Sequence, residues 1–166
     1  MPEPMPRVLV VESHPIVRMG LVSILSVPQF GIDVVGECAG DIEASDRAED
    51  LAPDVVLLGL SMLDVDGCQA VKQLLAVHAS VRIIVLAGVS DTQRATELVC
   101  LGARGLLYED ASIDDLICAI HRVATDQAVV PAGITAAWFG EGETKPGRPS
   151  WATGDTVTNS SASLRF

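Results

Sequence analysis

Short apolar runs alternate with longer helix-like segments along most of this chain, and this alternation constrains its fold more than any other feature. The runs are RVLVV at 7–11, IDVVGEC at 32–38, DVVLL at 54–58, VRIIVL at 81–86 and GLLY at 105–108. Continuously apolar strands are typical of a parallel sheet buried on both faces, and helices connect such strands. The pattern therefore predicts an α/β fold, a doubly wound, five-stranded parallel sheet with helices on both faces.

Capping residues and helix breakers set the predicted helix boundaries. The first helix runs from Pro15 to about Ser26, and its predicted inner face comprises Ile16, Met19, Val22 or Ser23, and Leu25. Further helices are predicted over 41–51, 68–78 and 91–101, the last one ending at Gly102. The segment 113–124 is the clearest helix, because its apolar residues recur at i, i+3, i+4 and i+7 after a capping Ser112.

The length of 166 residues allows one domain of ordinary size. We assign residues 1–6 to a short N-terminal extension and residues 7–132 to the α/β domain. Glycine, proline, serine and threonine dominate the end of the chain without any period. Residues 133–166 are therefore predicted to form a linker or flexible tail.

The net charge of −11 excludes several classes of partner. An acidic domain is repelled by a phosphate backbone, so this segment is not expected to bind nucleic acid. It has no basic amphipathic stretch for a membrane surface and no apolar run of about 20 residues. Without a signal peptide or paired cysteine motif, the chain is predicted to be cytoplasmic, with its four cysteines as buried thiols.

From Arg7 to Pro131 the order and spacing of several segments resemble the receiver domain of bacterial response regulators, most closely the NarL/FixJ subgroup. The segments are RVLVVESHPIVRMGL, VVGEC, PDVVLLGLSMLDVDG, RIIVL and LGARGLLYEDAS. The resemblance implies a flavodoxin-like fold with strand order 2-1-3-4-5. It also implies that functional residues from several strands meet in a crevice at the carboxyl ends of the strands.

The chain departs from the pattern of active receivers at each phosphorylation position. The family has an acidic pair after the first strand, an acceptor aspartate ending the third, a threonine or serine ending the fourth and a lysine after the fifth. The corresponding residues here are Glu12 with Ser13, Gly59, Ala87 and Glu109. The resemblance thus implies an atypical receiver, similar to orphan actinobacterial regulators, with no catalytic residue, no metal and no cofactor, and we expect no enzyme activity.

The altered crevice is instead a candidate ligand pocket. Its predicted residues are Glu12, Ser13, Gly59, Ser61, Ala87, Gly88 and Glu109. Small residues at its floor suit a small apolar molecule, and two carboxylates without a cation favour an amine-bearing ligand. In the alternative interpretation, Glu109 simply turns into water.

These features predict a phosphorylation-independent pseudo-receiver in transcription regulation. It would signal as a homodimer, as a heterodimer with another response regulator, or by sensing a small ligand. Two alternatives remain open: a phosphorelay receiver that uses an unorthodox acceptor such as Asp64 or Asp66, and a purely structural dimerisation module. Contact with DNA would require an output domain, for which the last residues of this sequence are too short.

Overall fold

A seven-stranded parallel sheet organises the protein. The computed structural model describes residues 4–60, 67–78, 80–139 and 157–159. The strands are β1 (Arg7–Val11), β2 (Asp33–Cys38), β3 (Val55–Gly59), β4 (Arg82–Ala87), β5 (Gly105–Tyr108), β6 (Ala128–Val130) and β7 (Val157–Asn159). Their order is β2-β1-β3-β4-β5-β6-β7, so the predicted order 2-1-3-4-5 is confirmed.

Six helices accompany the strands within the described residues. They are α1 (Pro15–Leu25), α2 (Asp41–Leu51), α3 (Gly67–Val77), α4 (Thr92–Leu101), α5 (Ile113–Ala124) and α6 (Ala132–Phe139). Helices α2, α3 and α4 cover one face of the sheet, and α1 and α5 cover the other. The predicted doubly wound architecture is therefore confirmed. In the described ranges, no helix is both long and apolar enough to cross a bilayer.

Two short strands extend the sheet beyond the five that we predicted. Strand β6 pairs with β5 through Gly105 and Val129, and β7 pairs with β6 from Ala128 to Val130. Three-residue strands are too short to show a period, which explains why the sequence pattern missed them. Strand β7 and all of helix α6 except Ala132 lie within the segment predicted as a tail, and Ile134 of α6 is buried in the core. The domain boundary at residue 132 stays a prediction.

The central strands are buried on both faces, as their composition predicts. Alternate residues of β1 enter two different core clusters: Leu9 lies with the residues under α2, α3 and α4, and Val8 and Val10 lie with those under α1 and α5. This alternation is the period of two expected for a strand. Burial of both faces gives the sheet the rigidity that positions the residues at its carboxyl edge.

The predicted inner face of α1 is wrong. Ile16 is 86% exposed and Met19 is 65% exposed, whereas Leu25 is buried. The helix is apolar almost all round, so its pattern cannot define the inward side. Arg18 sets the rotation, because its guanidinium donates to the Glu12 carbonyl at 2.7 Å and lies 3.4 Å from the Glu37 carboxylate. That contact turns Ile16 and Met19 outward.

Helix α5 matches its sequence prediction at both ends and begins with a capping box. The Ser112 hydroxyl accepts from the Asp115 backbone N–H at 3.1 Å, and the Asp115 carboxylate accepts from the Ser112 N–H at 3.3 Å. Leu116, Ile120 and Val123 are buried as predicted. The reciprocal cap holds the start of α5 next to the carboxyl end of β5.

The cysteines differ in environment, and one differs from its predicted state. Cys38 is buried at the end of β2, but Cys118 is exposed on the solvent side of α5, so the expectation that all four are buried is wrong. Burial, together with the nearby Glu43 carboxylate, raises the pKa of Cys38 to about 11. The thiolate form that reacts with alkylating reagents is therefore scarce at Cys38.

We expect iodoacetamide at pH 8 to label Cys118 quickly in the native protein and to leave Cys38 unlabelled until the protein unfolds. The physical reason is the combination of burial and a raised pKa at Cys38. Peptide mass spectrometry of timed samples measures both rates, and a sample in urea serves as the control. Equal labelling rates in the native protein would contradict the burial of Cys38.

An ion-pair cluster ties the amino ends of β4 and β5 to the turn after α5. The Arg82 guanidinium donates to the Asp126 carboxylate at 2.8 Å, and Arg104 lies 3.7 Å from the same oxygen. The hydrogen bond from Arg82 holds the pKa of Asp126 below its ordinary value. Asp126 has a φ of 67°, a left-handed conformation that aspartate and asparagine tolerate well.

Asp126→Asn is expected to lower the free energy of unfolding by about 0.5 kcal/mol at pH 7, because the side chain is 66% exposed and water screens the pair. Since the folded pKa is depressed, the contribution is complete above the unfolded pKa of about 4 and is lost as the pH falls through the folded pKa. Urea unfolding at pH 7 and pH 2.5 should show the difference between variant and wild type shrinking at the lower pH. A difference that stays constant would exclude the carboxylate charge as its source.

Candidate functional site

The residues singled out by the sequence meet at the carboxyl edge of the sheet. Glu12 follows β1, Gly59 ends β3, Ala87 ends β4 and Glu109 follows β5. The register pairs Gly59 with Leu86 and Ala87 with Tyr108, and the Glu109 N–H donates to the Ala87 carbonyl at 3.0 Å. Parallel strands end at the same edge, which is why residues far apart in sequence come together here.

Glu12 is a buried carboxylate held in one position. It is only 4% exposed. Its Oε1 accepts from the His14 backbone N–H at 2.8 Å and lies 2.8 Å from Nδ1 of the His14 ring. Its backbone N–H donates to the Cys38 carbonyl at 3.1 Å, and its own carbonyl accepts from Arg18. The two contacts at Oε1 offset part of the cost of burying the carboxylate, and the two backbone contacts fix the main chain of Glu12.

The Glu12 carboxylate occupies the space where a side chain at position 59 would begin. A Cβ placed on Gly59 would collide with Glu12 Oε2 and lie 3.0 Å from Glu12 Cδ. Gly59 itself is fully enclosed in β3. The absence of a side chain at Gly59 therefore leaves room for the carboxylate that follows the neighbouring strand β1. The sequence did not predict this arrangement, because Gly59 was expected to leave an open pocket floor.

A second group of small and acidic residues lies at the ends of β4 and β5. Ala87 is buried and has no hydroxyl. A Cβ on Gly88 would lie 3.3 Å from the Asp91 carboxylate and 3.9 Å from Glu109 Oε2. Glu109 is exposed, as the alternative interpretation expected, so its side chain reaches water. The small residues thus face carboxylates rather than an open apolar floor.

The structure has a cavity of about 360 Å³ beside these residues, between α1 and α5. Glu12 and Glu109 line it, but Ser13, Gly59, Ala87 and Gly88 do not, and Ser61 lies outside the described residues. Its apolar walls come from both helices and from the ends of β4 and β5: Val17, Leu21, Ile24, Leu86, Leu107 and Leu116. The Glu12 carboxylate fills the crevice that the sequence predicts at Gly59. The cavity lies instead between helices α1 and α5.

Phosphoryl transfer to a carboxylate in an active receiver requires a Mg²⁺ ion, and the described residues at this edge do not fit one. Mg²⁺ requires several oxygen ligands in octahedral geometry, usually including carboxylates. Ser13 and Gly59 contribute no carboxylate, and His14 engages one oxygen of Glu12. Within the described ranges, no three His, Cys, Asp or Glu side chains gather closely enough to hold a metal ion.

His14 is a site residue that sequence reasoning did not place. It marks the start of α1 in the sequence, and in the structure it anchors Glu12 through both its backbone and its ring. Its position two residues after the carboxylate is the signal that could have revealed the pair. Asp64 and Asp66, the alternative acceptors, lie outside the described residues.

Comparisons with known proteins agree with this architecture. Residues 8–121 match the response regulator receiver domain family. Response regulator GacA of Pseudomonas viridiflava is 31% identical over 124 residues, which are 75% of this chain and 58% of GacA. Transcriptional regulatory protein LnrK of Bacillus subtilis is 29% identical over 135 residues, which are 81% of this chain and 61% of LnrK.

A solved receiver-domain structure has the same fold as this chain. The receiver domain of response regulator NarL from Mycobacterium tuberculosis superposes with a TM-score of 0.67 at 26% identity, covering 74% of this chain and 98% of that domain. The chain spans about three fifths of the length of the two curated relatives. The family match includes strands β1 to β5, except Arg7, and the first nine residues of α5. On these grounds, the chain belongs to the response regulator receiver domain family.

Proposed function

We propose that this receiver domain regulates transcription without being phosphorylated at the acceptor position, and that it responds to association with a second chain or to a small ligand. The observation that carries the proposal is the Glu12 carboxylate packed against Gly59 at the end of β3. Glycine supplies no nucleophile for a phosphoryl group. The Glu12 carboxylate, held through Oε1 by His14, occupies the space beside it.

The charge at this edge also opposes phosphoryl transfer. The reaction needs positive charge around the transferred group, usually from a metal ion and a lysine or arginine. Glu12 and Glu109 are both acidic, and Ala87 offers no hydroxyl to a phosphoryl oxygen. An incoming phosphate would meet repulsion where an active receiver provides attraction. These residues support a regulatory domain rather than an enzyme.

Without a phosphoryl group, the conformational equilibrium needs another source of free energy. A ligand or partner shifts such an equilibrium only by the difference in its affinity for the two states. Leu106 of β5 is fully buried and has no polar group that could reorient. We therefore place the signal in a binding event elsewhere on the domain.

Helix α1 is the surface that we assign to association with a second copy of this chain. Ile16, Val17 and Met19 are exposed on it, and a contiguous exposed apolar surface is typical of an interaction site. A protein with a net charge of −11 repels its own copies over most of its surface. The only charged residue of α1 is Arg18, so two copies can meet here without opposing acids.

Sizing with light scattering tests this assignment. We expect the wild-type protein to be a dimer and Met19→Glu to be a monomer, because the new acid adds repulsion at the contact. Ile42→Glu is the matched control, since Ile42 is 75% exposed on α2 and is expected to leave the dimer intact. A dimer that persists in Met19→Glu excludes α1, and a wild-type monomer that pairs only with another response regulator replaces the homodimer with a heterodimer.

The proposed role in transcription regulation is based on the relatives of this chain. LnrK is named a transcriptional regulatory protein, and this chain covers 61% of it. Contact with DNA would fall to an output domain, because the acidic receiver segment repels a phosphate backbone. We expect the protein to act in the cytoplasm, where such regulators meet the chromosome.

Incubation with acetyl phosphate and Mg²⁺, followed by intact mass measurement, tests the proposal directly. We expect no gain of a phosphoryl group, while a conventional receiver in the same mixture gains one. Stoichiometric labelling would overturn the proposal. If Asp64→Asn or Asp66→Asn then abolished the label, the phosphorelay alternative would take its place.

A further inference from the structure

The cavity between α1 and α5 has the size and lining of a small-molecule site. Its volume of about 360 Å³ is within the range of ligand pockets in proteins, roughly 300 to 1,000 Å³. Val17, Leu21 and Ile24 form its α1 wall, and Leu107 and Leu116 face them from β5 and α5. Such walls favour an apolar body over a sugar or a nucleotide.

The charged groups of the cavity select the polar end of the ligand. Among the described residues that line it, the charged ones are Glu12 and Glu109, and one oxygen of Glu12 is already engaged by His14. An ionised carboxylate only accepts hydrogen bonds, so the ligand must supply the donors. An anion would be repelled, and a bare metal ion would find hydrocarbon on most sides.

We propose that this cavity binds a small molecule that carries an apolar body and a protonated amine. The body lies between α1 and α5, and the ammonium group lies against Glu109 at the rim with Glu12 behind it. This inference rests on the proposed function, because it names the ligand class to which an unphosphorylated receiver responds.

The cavity also has an entrance. Val17 and Ile113 both line it and are about half exposed, so it opens to solvent between the first turns of α1 and α5. A bound ligand contacts both helices and the ends of β4 and β5 at once. It therefore couples α1, the helix assigned to association, to the carboxyl edge of the sheet.

Titration of the full chain with cyclohexylmethylamine tests the proposal, with thermal unfolding and amide chemical shifts as readouts. We expect a saturable rise in the melting temperature, with shift changes in α1 and α5. Cyclohexylmethanol, which has the same ring without the charge, should bind about tenfold more weakly. Cyclohexanecarboxylate should not bind. Equal binding of the three compounds, or no saturable change with the amine, overturns the inference.

Matched variants separate a defined site from general attraction to an acidic protein. Glu109→Gln should weaken amine binding about tenfold, while Glu49→Gln, which removes the same charge from an exposed position on α2, should not change it. Leu21→Trp fills the cavity and should abolish binding. Ala111→Leu fills it from another wall if the first variant is unstable. If Glu109→Gln, or a folded variant with a filled cavity, binds the amine as tightly as wild type, the assignment of the ligand to this cavity is wrong.

The acetyl phosphate assay keeps the two proposals distinguishable. Phosphoryl labelling would defeat the proposed function, whatever the amine does. A chain that stays unlabelled and ignores the amine would retain the phosphorylation-independent role and lose only this ligand class.

Discussion

Replacing Gly59 with aspartate is expected to lower the free energy of unfolding by about 3 kcal/mol and to leave the protein unlabelled by acetyl phosphate. The new Cβ would collide with Glu12 Oε2 and lie 3.0 Å from Cδ of that residue. Crowding a packed core costs about 1–3 kcal/mol, and a second carboxylate beside the first adds repulsion between like charges. Urea unfolding monitored by circular dichroism measures the loss.

Two further variants show whether Glu12 is the obstacle. Gly40→Asp introduces the same side chain at the N-cap of α2, where a Cβ meets nothing within 4 Å, and it should be neutral or stabilising by a few tenths of a kcal/mol. Glu12→Ala in the Gly59→Asp background should recover part of the lost stability, because it vacates the space. If Gly59→Asp were as stable as wild type, the Glu12 carboxylate would shift at low cost and would not be an obstacle at this position.

Gly105→Ala is expected to lower the free energy of unfolding by about 2 kcal/mol, although it adds only one methyl group. Gly105 pairs with Ile84 of β4, and its added Cβ would lie 2.8 Å from Cγ1 and 3.2 Å from Cγ2 of that side chain. Ile84 is fully buried, and its branched Cβ restricts its rotamers, so it cannot move aside cheaply. Thermal or urea unfolding measures the change.

The matched control is Gly20→Ala in α1, where a Cβ has open space. Alanine favours a helix over glycine by about 1 kcal/mol, so this substitution should stabilise the protein. Ile84→Ala alone should lower the free energy of unfolding by about 3 kcal/mol. In the Gly105→Ala background the loss should be smaller, because removing the Ile84 side chain also removes its clash with the new methyl group. If the two losses of unfolding free energy were strictly additive, the strain caused by Gly105→Ala would not come from its contact with Ile84.

The elements that sequence reasoning predicted best are those with a clear period or a clear terminus. Helix α5 has apolar residues at regular helical spacing and a capping serine, and β5 is a short apolar run between a glycine and an acidic turn. Helix α1 was predicted with correct length and the wrong inner face, since an almost wholly apolar helix has no contrasting side. Its rotation depends on contacts of Arg18 with β2 and with the residue after β1, which no local pattern contains.

The sequence predicted which residues lie at the carboxyl edge of the sheet, but it did not predict how they pack there. The sequence shows which residues end each strand, and parallel pairing brings those ends together. It does not show that the side chain following one strand fills the gap left by another, as Glu12 does at Gly59. The ligand pocket was also predicted at the strand ends, whereas the cavity lies between two helices, and of the predicted residues that the structure describes it is lined by Glu12 and Glu109.

The common direction of all seven strands determines where the polypeptide emerges. Strand β7 runs parallel to β6 and ends at Asn159, on the same side of the molecule as Glu12 and Glu109. Four interstrand steps of about 4.8 Å separate β3 from β7, a lateral distance of about 19 Å. Strand β7 therefore ends on the same side as the edge that carries Glu12 and Glu109, so the ligand proposed above would bind on the side of the sheet where β7 ends.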